Sequence, residues 1–413
     1  MKITHICTSL NGGAGLCANR IMAATAKLGI DVRALIADGS GNYGTNVEVV
    51  RPNGIWSINR MCHTMAMLLA YAGIGPRFAR IRRRLASESR MMRTGFYFTS
   101  PVTQYTKLAQ HPWIKDADIV HLHWLGHFVD YASFFPNVNK PIVWTIHDEN
   151  PALGGFHYSS WKAAAPQSFR RFDDNLMRIK ERAYKDVKSM TLVALSTQMD
   201  AYLASSSLLS RFPRRIIHNG VDGTQFRSID QRLAREILRI PQGNTVFVFA
   251  AGDIFEERKG LKELITAIGR LNLSNVSLIC LGKAKKAAPS ASFEVRCEGF
   301  IPNSALQSLY YSAADYFVMP SFQEAFAQTP IEAMACGCPV VAFPCSGTDS
   351  LINFGNGIVC KGFSVDALQD GLKVALSCTF DRMAIRRDVL SRFSYEVIAK
   401  QYMELYNVVL NNQ

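Results

Sequence analysis

Short runs of aliphatic and β-branched residues alternate along this chain with longer stretches of helical spacing, and the pattern is laid down twice. The first pass begins with a strand-like run from Lys2 to Thr8, a glycine-bearing turn from Asn11 to Gly15, a helix from Leu16 to Leu28 and a second strand from Asp31 to Ala37, a β-α-β unit. Further strand-like runs follow at Asp118–His123, Pro141–Ile146, Thr191–Leu195 and Arg215–His218, with a helical stretch at Asp173–Val187 between them. The second pass has runs at Thr245–Ala250, Val276–Leu281, Glu294–Cys297, Asp315–Met319 and Pro339–Phe343, with helices at Lys262–Leu271 and Ser304–Ala313. Such alternation predicts an α/β fold of parallel sheets covered by helices on both faces. The 413 residues suit two domains at about 100 to 200 residues each. The turn sequence His218-Asn219-Gly220-Val221-Asp222 sets the expected boundary, giving domains at 1–217 and 218–390. A final segment, 391–413, carries the helix Tyr395–Tyr406, which is expected to cross back to the first domain.

Charge is unevenly spread. The formal net charge is +13, and Arg60, Arg77, Arg80, Arg82, Arg83, Arg84, Arg90 and Arg93 are opposed across their stretch only by Glu88. The block follows the apolar run Met65–Ile74, too short for a bilayer span of about 20 residues. Two readings stay open for residues 60–93: peripheral docking on an anionic lipid surface, or a solvated helical face. No nucleic-acid-binding motif accompanies the charge. Lys2 leads directly into a strand, without the order of a secretory signal, so a cytoplasmic location is expected. The ten cysteines are scattered in apolar runs and read as reduced thiols, and Cys336 and Cys338 lack a second pair at zinc-ligand spacing. Asp116-Ala117-Asp118 precedes a strand and reads as a solvated turn, so neither a metal nor another cofactor is expected.

The chemistry-bearing segment runs from Ser321 to Phe343. Thr329 reads as a helix N-cap, Pro330 as the first helical residue, Glu332 as the second half of a capping box and Gly337 as the stop. The preceding loop, with Glu324, then sits at a helix N-terminus, where free N–H groups and the helix dipole favour a diphosphate. Glu332 is open to two readings, capping the helix or binding a ligand. Gly12-Gly13-Ala14-Gly15 permits close backbone approach, although Ala18 breaks the full dinucleotide fingerprint. His147 and Asp148 stand at the carboxyl end of a strand, where open α/β sheets bind ligands. His121 and His123 share one face of another strand, where a packed, hydrogen-bonded role outweighs a catalytic one. Gly154-Gly155-Phe156-His157-Tyr158 is expected to shape the acceptor side.

Glu324 and Glu332, followed by Ala333-Met334-Ala335-Cys336-Gly337-Cys338-Pro339-Val340-Val341-Ala342, resemble the signature of glycosyltransferase family four. Ordered matches extend the resemblance over nearly the whole chain: Gly12-Gly13-Ala14, His147-Asp148, the 218–222 turn, Lys259-Gly260, and Ala314-Asp315 before Tyr316–Ser321. The resemblance implies a retaining transferase of the two-Rossmann GT-B fold, moving a sugar from a nucleotide-diphosphate sugar to a glycan or lipid-linked glycan, as in surface polysaccharide synthesis. It gives Glu324 the sugar hydroxyls, Glu332 the ribose, the backbone of Phe326, Ala327 and Gln328 the diphosphate, and Lys259 the charge of the leaving group. It brings Gly12 and Gly13 to the donor phosphate and His147 to the donor sugar. Where family members carry an arginine after the first strand of the second domain, this chain has Gly252-Asp253, and Arg258 adjoins Lys259. Arg258 either replaces that arginine or is a solvated loop residue. A noncatalytic binding module of the same fold and a sugar-nucleotide epimerase are the alternative functions.

Overall fold

The computed structural model describes residues 1–41, 43–52, 97–284 and 289–412. The basic block from Arg60 to Arg93 and the apolar run Met65–Ile74 lie outside the described residues, as does Cys62.

The first sheet comprises β1 (Lys2–Cys7), β2 (Asp31–Ile36), β3 (Val47–Val49), β4 (Ile119–Leu122), β5 (Ile142–Ile146), β6 (Met190–Ala194) and β7 (Arg214–Ile216), in the order β3-β2-β1-β4-β5-β6-β7. The second comprises β8 (Thr245–Asp253), β9 (Val276–Lys283), β10 (Glu294–Gly299), β11 (Tyr316–Met319), β12 (Val340–Ala342) and β13 (Gly357–Val359), in the order β10-β9-β8-β11-β12-β13. All described strand pairs are parallel. Each sheet runs outward in both directions from its first strand, so each has a topological switch point beside β1 or β8 at the carboxyl ends of the strands. This is the two-Rossmann architecture of the GT-B fold. Burial on both faces explains the unbroken apolar runs: β5 and β11 are buried at every residue.

The described helices of eight or more residues are α1 (Gly12–Ala26), α2 (Gln167–Tyr184), α3 (Thr197–Ser205), α4 (Leu261–Gly269), α5 (Ser304–Ala313), α6 (Gln328–Ala335), α7 (Val365–Ser377), α8 (Arg382–Phe393) and α9 (Tyr395–Asn411). α9 leaves the second domain from α8 and packs beside α1 under the first sheet. It buries Ile398 and Leu405, worth roughly 1.5–3 kcal/mol each. It also places two tyrosine hydroxyls in the core, Tyr402 on Thr145 Oγ1 at 2.9 Å and Tyr406 on His121 Nδ1 at 2.7 Å. The two chain crossings between domains lie side by side, since Val221 N donates to Phe393 O and Tyr395 N to Val221 O.

Two local readings are corrected. The glycines at 12, 13 and 15 form the first turn of α1 rather than a loop before it. Of these Gly15 is the one required by space, because a Cβ there would stand 2.3 Å from Ser9 O. α6 begins at Gln328, with Ala327 at the N-cap and no side chain capping it. Thr329 is therefore already helical and Glu332 completes no capping box. The C-terminal reading is met: Gly337 has φ +80°. Its N–H bonds Met334 O at 2.8 Å and that of Cys338 bonds Ala333 O at 3.0 Å, a Schellman closure.

Candidate active site between the two sheets

The carboxyl ends of β8 and β11 hold two loops against each other. The first turns through Glu257–Lys259 into α4, and Gly260 at its end has φ +75°. A Cβ on Gly260 would come within 2.1 Å of Pro320 O, so only glycine lets the second loop lie this close. Phe322 N donates to Arg258 O at 2.9 Å across the same seam. This clamp presents Lys259 Nζ to Glu324 Oε1 at 2.6 Å and Arg258 Nη1 to the same oxygen at 3.6 Å. Burial works to raise the Glu324 carboxyl, but Lys259 and Arg258 outweigh it and hold the group below its ordinary value. Arg258 also donates to Gln323 O at 2.5 Å and to Glu256, and lies over the Tyr158 ring at 5.5 Å. The solvated-loop reading of Arg258 is thus excluded by its partners. Asp253, where an arginine was expected, accepts from Phe255 N at 3.0 Å and turns the chain.

Glu332 faces the other domain. Its Oε1 accepts from Arg20 Nη2 at 2.6 Å, with only 5% of the Glu332 side chain and 10% of Arg20 exposed. Arg20 also bonds Gln328 Oε1. One turn earlier on α1, Cys17 Sγ donates to Asn219 Oδ1 at 2.6 Å, and Asn219 Nδ2 donates to Phe326 O at 2.9 Å. The backbone from Phe326 to Gln328 is therefore braced from the first domain. Sequence reasoning missed Arg20, although it is the one charged residue in α1 and that isolation was a legible signal. Gly12 and Gly13 lie in the exposed first turn of the same helix, and it is Cys17 and Arg20 further along that reach the second domain's residues.

At the carboxyl end of β5, Asp148 Oδ2 accepts from His157 Nδ1 at 2.6 Å and from Trp124 Nε1 at 3.1 Å. Burial pushes its carboxyl up, but His157 more than reverses this, and the group stays below its ordinary value. The Gly154–Tyr158 segment is tied down from beneath: Gly154, Gly155 and Phe156 donate their N–H groups to the buried Asp173 carboxylate at 3.2, 2.6 and 3.1 Å. Lys180, two turns along the same helix, donates to Asn150 O at 2.5 Å, and burial lowers its amine to about 7. Neither support was read from sequence, because both residues lie in a helix that looks solvated. His147 is partly exposed, and burial lowers its imidazole to about 4.

His121 takes the packed role expected of it, with Nδ1 on Tyr406 and Nε2 on Thr145 Oγ1 at 2.8 Å. Nitrogens of His5, His121 and His123 gather within 4.8 Å, a spacing a metal ion could use. Both His121 nitrogens are already engaged and His5 bonds His123 directly at 2.9 Å, so these rings form a hydrogen-bonded group in which His5 Nε2 has no partner among the described residues. Asp116 and Asp118 take surface partners, Lys2 and Arg33.

Between the domains opens a cleft of about 1380 Å³, lined by Ser160 and Trp161 from the first domain and by Phe255, Glu256, Arg258 and Phe322 among others from the second. Ser160 Oγ donates to Gln323 Oε1 at 3.0 Å at its rim.

Residues 230–391 match the family described as "Glycosyl transferases group 1". An uncharacterised glycosyltransferase of Methanocaldococcus jannaschii is 24% identical over 313 residues, covering 71% of this chain and 76% of that protein. The GDP-mannose:cellobiosyl-diphosphopolyprenol alpha-mannosyltransferase of Xanthomonas oryzae pv. oryzae is 24% identical over 314 residues, 72% of this chain and 76% of its own. Among solved structures, Anabaena HepE in complex with UDP-glucose superposes with a TM-score of 0.66 at 16% identity, over 99% of this chain and 100% of that one.

Proposed function

We propose that this chain, whose residues 230–391 match the glycosyl transferases group 1 family, moves a sugar from a nucleoside-diphosphate sugar to a glycan or lipid-linked glycan acceptor with retention of anomeric configuration. The observation that carries this reading is the charge arrangement at the start of α6: a carboxylate, Glu324, with 12% of its side chain exposed, held ionised by Lys259 and Arg258 beside a helix N-terminus that no side chain caps. A diphosphate supplies the missing cap and meets the two cations. The sugar it carries then reaches Glu324, and the ribose reaches Glu332, whose Oε2 has no hydrogen-bond partner among the described residues. Arg20 holds Glu332 by an ion pair at 2.6 Å.

In the reaction the bond from the anomeric carbon to the diphosphate oxygen breaks, and negative charge grows on the leaving phosphate. Lys259 and Arg258 stabilise that charge more strongly in the transition state than in the bound donor, which is what lowers a barrier. The acceptor hydroxyl approaches the same face from the first domain, bonds the anomeric carbon, and passes its proton to the departing phosphate oxygen. No described residue needs to serve as a separate base. The Asp148–His157–Trp124 cluster at the end of β5 and the braced 154–158 segment orient the acceptor.

An acceptor on a polyprenyl diphosphate agrees with the mannosyltransferase relative. It also suits residues 60–93, for which we propose contact with an anionic membrane surface from the cytoplasmic side. No described helix is long and apolar enough to cross a membrane. The chemistry proposed for the site needs neither a metal nor an organic cofactor. The test is a transfer assay over UDP-, GDP- and ADP-sugars with a detergent extract of lipid-linked glycans, the product anomer being read by proton NMR. Glycosidic product of the donor's anomeric configuration supports the reading. Nucleotide binding without transfer would favour a noncatalytic module, and acceptor-free interconversion of the donor sugar an epimerase.

A further inference from the structure

Behind His147 a line of imidazoles runs into the core. His147 Nε2 lies 3.3 Å from His123 Nδ1, and His123 Nε2 lies 2.9 Å from His5 Nδ1. His5 and His123 are almost fully buried, His5 on β1 and His123 directly after the neighbouring β4. The chain ends at His5 Nε2, a buried nitrogen with no partner among the described residues. At the other end His147 is partly exposed, and its Nδ1 bonds no described residue. His147 stands two residues before Glu149, whose carboxylate accepts from Gln323 Nε2 of the second domain at 3.4 Å, so the open end of the line lies near a contact between the two domains.

All three rings are neutral at ordinary pH, since burial lowers His5 to about 3, His147 to about 4 and His123 well below its usual value. A neutral imidazole has one N–H and one lone pair. A line of three such rings therefore has only two consistent arrangements. In one, His147 donates inward, each ring passes the pattern on, and the line ends on a buried N–H at His5 Nε2 with nothing to accept it. In the other, His5 Nδ1–H donates to His123 Nε2, His123 Nδ1–H donates to His147 Nε2, and the line ends on an unpaired lone pair. Buried N–H groups without an acceptor are the rarer defect. The second arrangement wins, and it leaves the proton of His147 on Nδ1.

We propose that His5 and His123 are positioning residues: the hydrogen-bonded line they form fixes His147 as the neutral Nδ1–H tautomer, so that His147 offers the sugar bound in the cleft a hydrogen-bond donor rather than a base. The proposal rests on the reading of the cleft as a sugar-nucleotide site only for the identity of what His147 contacts. An isolated neutral histidine prefers the Nε2–H form, so the line holds the ring in its less common state.

The test uses the full chain with ¹⁵N-labelled histidine and long-range ¹H–¹⁵N spectra near neutral pH, without substrate. The wild type should show His5, His123 and His147 each protonated at Nδ1, and addition of one equivalent of Zn²⁺ should leave these signals in place. In His123→Leu, His147 should revert to Nε2–H, and kcat should fall about tenfold, the worth of one well-placed hydrogen bond, with the donor dissociation constant within about twofold. A wild-type His147 carrying its proton on Nε2 overturns the proposal, as does a His147 that keeps Nδ1–H once His123 is gone. Displacement of the three signals by Zn²⁺ overturns it in favour of a metal site. If His123→Leu does not fold, the wild-type spectrum still decides. Because that spectrum is read without donor or acceptor, it stands or falls separately from the transferase assay.

Discussion

Arg20 and Glu332 lock two domains together with a buried ion pair, and a pair of this kind matters most when half of it is removed. Losing one partner strands a charge and costs about 3–5 kcal/mol, whereas replacing both with apolar residues of similar size can be neutral. Arg20→Met should therefore lower the urea midpoint sharply, and adding Glu332→Met should recover most of the loss; additive losses would show that the pair is not coupled. On the proposed reaction Lys259→Ala removes a donor to the leaving group, about 3–4 kcal/mol of transition-state stabilisation, and turnover should drop roughly 100-fold or more. Turnover near wild type in both Lys259→Ala and Glu324→Ala would remove these residues from the site. Glu324 also gives a pH signature. Its folded value is depressed, so its stabilising contribution is complete above the ordinary 4.5 and is lost as pH falls through the lower folded value. In Lys259→Met the depression shrinks, so the stability lost between the ordinary 4.5 and the folded value should be smaller than in wild type.

At the scale of elements, the site depends on how closely two loops approach. Gly260→Ala places a Cβ against Pro320 O at a backbone angle L residues avoid, and should cost about 1–3 kcal/mol in stability together with most of the activity. Gly13→Ala meets nothing within 4 Å. It should leave the melting temperature within about a degree, while raising the donor KM if this turn of α1 approaches the phosphates; an unchanged KM would take Gly13 out of the donor site. The regular elements were legible because periodicity and burial agree: α5 spans the same Ser304–Ala313 in sequence and structure. The start of α6 was not, because Thr329-Pro330 satisfies the local capping rules while the true N-cap, Ala327, leaves the first N–H groups without a side-chain cap. Local rules assume that a helix caps itself. Glu324, Lys259 and Glu332 were named by motif, but Arg20, which pairs with Glu332, and Asp173 and Lys180, which brace the backbone at Gly154–Phe156 and Asn150, come from distant helices, and only the folded chain brings them in.

On the scale of the molecule, the domains are joined by a tight double crossing at Val221 and Ser394, by α9 returning under the first sheet, and by polar contacts around the cleft. Ser196 Oγ meets Ser346 Oγ at 2.7 Å and Thr197 Oγ1 donates to Asp349 at 2.9 Å, besides the Arg20–Glu332 pair. These polar contacts stand beside one continuous apolar cluster that runs through both domains, from Trp144 and Leu192 to Phe326 and Ile331. The central claim is that the seam binds a nucleoside diphosphate at the start of α6, and thermal denaturation against UDP, GDP, ADP and their sugars tests it most directly. A ligand at a hundred times its dissociation constant stabilises by about 2.7 kcal/mol. The account predicts that at least one nucleotide raises the wild-type melting temperature by several degrees and that Lys259→Ala loses most of that shift, whereas a panel uniformly flat for the wild type would contradict it.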